Sequence, residues 1–72
     1  MTKAYGVGAK VSWSWGQGRA SGKVADVFQK RVQRTIKGAK IVRRATADNP
    51  AYLVEQEDGG KALKSHSELE KD

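Results

Sequence analysis

The chain has no cysteine, one proline, one histidine and five aromatic residues among 72. Without cysteine no disulfide can staple the fold and no thiolate can act as nucleophile or metal ligand. A lone histidine cannot supply the several nitrogen or sulfur ligands of a zinc site. No run approaches the roughly 20 apolar residues of a membrane-spanning helix. The opening MTKAYGVGAK lacks the apolar core of a signal peptide. The expectation is a cytoplasmic chain with no membrane partner and no cofactor. Acid is also missing, locally: residues 30–46 hold seven of the fourteen Lys and Arg residues and no Asp or Glu.

What is present is charge, unevenly placed. Residues 1–47 carry eleven basic residues against Asp26 alone, and residues 48–72 carry three against seven acids, within a formal net charge of +6. A basic body with a more acidic end favours polyanionic partners. The competing explanation is a solubilising surface. A 72-residue chain makes one domain and buries only about 60% of its unfolded surface, so few apolar residues can be spared from the core.

The periodicity is that of strands. Val11, Trp13 and Trp15 alternate with Lys10, Ser12 and Ser14 and end at Gly16, a half-buried strand over residues 10–15. Residues 19–29 read as a second strand with a fault in its period. Val24 and Phe28 fall on one face, Ala25 and Val27 on the other. Such a strand bends or bulges, and Gly22 helps it do so. Residues 30–46 read as a hairpin turning at Gly38-Ala39, with glycine first as a type II′ turn requires. That turn opposes Lys37 to Lys40, Thr35 to Val42, Arg34 to Arg43 and Val32 to Ala45. Its core side is then Val32, Arg34, Ile36, Ile41, Arg43 and Ala45. Like charges directly opposite cost stability, so two such pairs suggest a reason to gather positive charge. Ala47-Asp48-Asn49-Pro50 is a turn. Residues 51–56 form the most apolar strand, expected to be buried on both faces. Asp58-Gly59 suits a type I′ turn, and residues 61–64 make a short last strand. Ser65 and Glu68 have capping-box spacing, so one helical turn is expected over residues 66–71.

Five or six short strands with hardly any helix mean an all-β sandwich or barrel, and at this length closure into a barrel best removes exposed edges. The expected organisation is a flexible lead-in at 1–9, touching the body through Tyr5 or Val7, a barrel at 10–70 and a tail at 71–72.

The motifs KVSWSWG, ASGKV, IKG, DNPAYLVEQ, DGGK, LK and SHSEL occur in this order from Lys10 to Leu69. Together they resemble the hypervirulence-associated protein family with a Tudor-like domain, over about residues 8–70. The resemblance implies an SH3-like, Tudor-like β-barrel and brings no catalytic or binding residues with it.

Enzyme signals are almost absent, and no catalytic residue is expected. His66 stands beside Ser65, Ser67 and Glu68, but neighbours in sequence rarely form a three-part catalytic geometry. A binding module is expected, and the basic hairpin is its leading feature. Arg31, Arg34, Lys37, Lys40, Arg43 and Arg44 are the candidates for sequence-independent contact with DNA or RNA phosphates, with Lys30 extending the patch. A protein or peptide partner is the alternative, held in an aromatic pocket of Trp13, Trp15 and Tyr52, although a small core needs those rings. A third reading gives Arg34 and Arg43 a small phosphorylated ligand. A monomer is expected.

Overall fold

The computed structural model describes residues 4–71. The alternating segment forms β1 (Lys10–Trp15), and the faulted one forms β2 (Gly18–Phe28). The basic hairpin is β3 (Val32–Ile36) and β4 (Ala39–Arg43). Then come β5 (Ala51–Gln56), β6 (Lys61–Ser65), a 3₁₀ turn (His66–Glu68) and β7 (Glu70–Lys71). The expected 66–71 helical turn is thus cut to three residues, because residues 70 and 71 pair with Ser12 and Val11 instead. Residue 71 belongs to the sheet, not to a tail.

The strands form a five-stranded sheet, β6-β5-β2-β1-β7, and a separate two-stranded ribbon, β3-β4. The fold is all-β as expected, but it is not a closed barrel. Backbone hydrogen bonding does not continue from the sheet into the ribbon; the ribbon packs across β6 instead. The sheet itself must curl. Its edge strands are joined by residues 66–69 alone, which span about 17 Å from Ser65 to Glu70 even when fully extended. A flat five-stranded sheet would hold its edges about 19 Å apart, and the 3₁₀ turn shortens the link further.

The fault in β2 is a bulge. The register against β5 shifts between Val24 and Asp26, leaving Ala25 as the extra residue. Val24 and Val27 can therefore face the same core, while Phe28 turns to the other side. Simple alternation put Val24 with Phe28; one inserted residue reverses every later side chain. Gly22 lies in the same stretch, where a Cβ would come within 2.5 Å of the Glu55 carbonyl oxygen and 2.7 Å of Val54.

β5 is the hub. Ala51, Tyr52 and Val54 are fully buried, as the apolar run predicts. Neighbouring residues on a strand point to opposite faces. Tyr52 and Val54 join Val11, Trp13, Val24 and Leu69 in one core. Ala51 joins Val32, Ala45 and Leu63 in a second, beneath the ribbon, with Phe28, Ile36 and Ile41 packed against it.

The lead-in is fastened. The Gly8 N–H donates to the Val24 carbonyl at 2.8 Å, and the Val24 N–H donates to Ala9 at 3.0 Å. The Tyr5 N–H donates to the Tyr52 hydroxyl at 3.0 Å. Val7 stays exposed.

Candidate functional site

The ribbon turns one residue earlier than its glycine suggests. Ile36 pairs with Ala39, so the turn is Lys37-Gly38. Both residues have positive φ, 51° and 78°, the pattern of a type I′ turn, whose twist suits a hairpin better. Lys37 is the one non-glycine residue with positive φ among those described. The shift moves the register by two, so faces are kept and partners change. Arg34 stands opposite Ile41, Arg43 opposite Val32 and Lys40 opposite Thr35. The expected Lys37–Lys40 and Arg34–Arg43 oppositions do not form.

The inner face of the ribbon is its anchor. Val32 is buried, and Ile36 and Ile41 are half-buried. Arg43 is drawn into the same anchorage, where its Nε donates to Glu68 Oε1 at 2.9 Å. The other calls on that oxygen come from the Ser65 N–H at 2.9 Å, completing the Glu68 half of the capping box. Lys64 Nζ stands 3.8 Å from Glu68 Oε2. Partial burial pushes the Glu68 carboxyl up. The Ser65 N–H, the Arg43 guanidinium and Lys64 outweigh it and hold the group below the ordinary carboxylate value. Arg34 remains exposed, its guanidinium 4.8 Å from the Phe28 ring centroid. Arg34 and Arg43 are therefore engaged by different partners.

Lys30, Arg31, Lys37, Lys40 and Arg44 are exposed, and none is within ion-pair distance of an acid among the described residues. The structure thus splits the six candidates: Arg43 braces the ribbon, and Arg31, Arg34, Lys37, Lys40 and Arg44 face solvent. Lys37 also meets the β5–β6 turn, its Nζ 3.7 Å from where a Cβ on Gly60 would stand. Thr35, Ile36, Lys37, Gly59, Gly60 and Lys61 line a recess of about 220 Å³ there. That turn is not the expected type I′. Only Gly59 has positive φ, and the Gln56 N–H donates to the Gly60 carbonyl at 2.7 Å. It is a three-residue loop ending in a left-handed glycine.

The aromatic candidates do not meet around an open pocket. Trp13 is 4% exposed and Tyr52 is fully buried, whereas Trp15 is 61% exposed at the β1–β2 turn. Tyr52 instead serves an internal cluster. Its hydroxyl accepts the Tyr5 N–H and lies 2.8 Å from His66 Nδ1, so its own proton is available to a neutral imidazole. Tyr5 stacks on His66 at 4.6 Å between centroids. Burial pushes the Tyr52 hydroxyl above the ordinary phenol value, against the opposing pull of the Tyr5 N–H. His66 thus makes its side-chain hydrogen bond with Tyr52, not with Ser65, Ser67 or Glu68.

Sequence reasoning missed three lysines that the sheet collects. Lys10 stands opposite Lys23, Lys23 opposite Glu55, and Glu55 opposite Lys61, in register across β1, β2, β5 and β6. Lys10, Lys23 and Glu55 line a groove of about 480 Å³ with Val7, Ser21 and Glu57. No signal in the sequence could join them, because the row depends on three separate ladders.

The structure is thus a curled all-β sheet with an anchored, outwardly basic ribbon. The chain belongs to the family of the hypervirulence associated proteins TUDOR domain, whose model matches residues 8–69. Comparison with curated proteins returned no match, nor did comparison with solved structures.

Proposed function

We propose that this Tudor-family domain is a non-catalytic module that holds the phosphate backbone of DNA or RNA, with little sequence preference, through the outer face of its ribbon. We read its architecture as an SH3-like barrel opened along the seam between ribbon and sheet. One observation carries the function: Arg31, Lys37, Lys40 and Arg44 are exposed without an acidic partner among the described residues, on a ribbon whose other face is packed and pinned through Arg43. Cations gathered on one face neutralise phosphates and release counterions, so the binding is salt-dependent.

The test is fluorescence anisotropy with labelled single- and double-stranded DNA and RNA of unrelated sequences at two salt concentrations. Binding should weaken steeply with salt and vary little with sequence. Charge reversal at Lys37, Lys40 and Arg44 together should abolish it while the circular dichroism spectrum is kept. Unchanged affinity in that variant would remove the reading.

The exposed Trp15 supports a second reading, capture of a protein or peptide. With Trp13 and Tyr52 buried, its aromatic contribution comes down to Trp15. A Trp15→Ala variant that loses a peptide ligand but keeps nucleic acid would support it.

A further inference from the structure

The ribbon was expected to oppose like charges and does not; the sheet does. Lys10 and Lys23 are direct cross-strand partners, and both are exposed. Neither has an acid within ion-pair distance among the described residues. Glu55 stands on the far side of Lys23 and Lys61 beyond it, yet no close ion pair forms along this row. Direct partners point to the same side of a sheet. Residues two or four apart on one strand share that side too. Glu55 therefore lies on the side of Ala51, and Lys61 on the side of Leu63, which is the side covered by the ribbon. The row spans three strand spacings, about 14 Å. At its β6 end Lys61 shares a recess with Lys37 of the ribbon tip. At its β1 end Lys10 and Lys23 border the 480 Å³ groove.

We propose that the row Lys10-Lys23-Lys61 is a second phosphate-binding surface, continuous with the ribbon through Lys37. A bound nucleic-acid strand then leaves the ribbon tip and crosses the sheet over the strands. This inference rests on the ribbon reading for its ligand and extends that site by three residues. It gives a role to two opposed lysines that make no close ion pair among the described residues, although Glu55 and Glu57 line the same groove. Glu55, set between Lys23 and Lys61, works against the same contact and limits its strength.

The experiment uses the full chain and a labelled oligothymidylate of about 16 nucleotides, the upper end of single-domain site sizes. Binding is measured across a salt series for wild type, Lys10→Gln with Lys23→Gln, Glu55→Gln, and Lys37→Glu with Lys40→Glu. The Lys10/Lys23 variant should bind more weakly, with a salt slope reduced by about 0.7 for each lysine removed. Glu55→Gln should bind more tightly. The lysine variant relieves the Lys10–Lys23 opposition and removes the Lys23–Glu55 one, two surface effects of opposite sign. Its melting temperature should therefore stay close to that of wild type, and this is measured alongside so that lost binding is not confused with lost folding. If the Lys10/Lys23 and Glu55 variants bind as wild type while the ribbon variant weakens, the sheet row is overturned and the ribbon reading stands. If only the Lys10/Lys23 variant weakens, the row stands and the ribbon reading falls. If wild type fails to bind at low salt, both fall.

Discussion

Gly22 shows how much a single missing side chain decides. Its position against Glu55 and Val54 lets β2 lie tightly on β5 just before the bulge. A methyl group there would collide with backbone as well as a side chain. Gly22→Ala should therefore destabilise the domain by about 1–3 kcal/mol, the range for overpacked sites. That is a large share of the roughly 5 kcal/mol at the lower end for folded domains. The loss should appear as a lower urea midpoint with an unchanged denaturant slope. The sequence identified Gly22 as an aid to bending. It could not show the close approach, which exists only once β5 is in place. Lys37 shows the opposite limit. Glycine at position 38 suggested a turn with glycine first, but the chain places a lysine in the left-handed region instead. The shift leaves Ile36 and Ile41 on the inner face and makes a primed turn, whose twist suits the ribbon and offsets one strained lysine backbone.

At the scale of elements, Glu68 connects the 3₁₀ turn to β4 and β6 through Ser65, Arg43 and Lys64. Its carboxyl titrates below the ordinary value. A depressed carboxyl contributes stability above its unfolded pKa, and that stability is lost as pH falls through the folded value. Acid should therefore weaken the attachment of the ribbon. Because the Arg43–Glu68 pair is about a third exposed, screening limits it to about 0.5–1 kcal/mol. Urea denaturation at pH 7 and pH 3 should show a smaller acid loss in Glu68→Gln than in wild type; equal losses would mean that other carboxylates dominate. The strands were the most legible part of the chain. Residues 10–15 and 51–56 alternate or run apolar, and both became strands over those bounds. Pairing was less legible, because a turn that moves by one residue changes every partner in its hairpin. Of the candidate site, the outward cations of the ribbon could be read from residues 30–46 alone. The role of Arg43 could not, since its acid lies 25 residues away. The lysine row was hidden for the same reason, being assembled by three ladders.

For the whole molecule, sheet and ribbon are two hydrogen-bonded units, and the two cores meet at β5. The ribbon is held to the sheet by side chains only, so its opening need not disrupt the larger ladder. Amide exchange should accordingly be faster in β3 and β4 than in β2 and β5, and a bound oligonucleotide should slow it selectively in the ribbon. Uniform protection across both units would show that they open together. The same separation affects how such a domain can diversify. A substitution on the outer ribbon face alters no backbone bond of the sheet and no side chain of either core. Charge can be added, removed or inverted there at little cost to folding. The ribbon is thus a place where surface charge can change long before the fold is endangered.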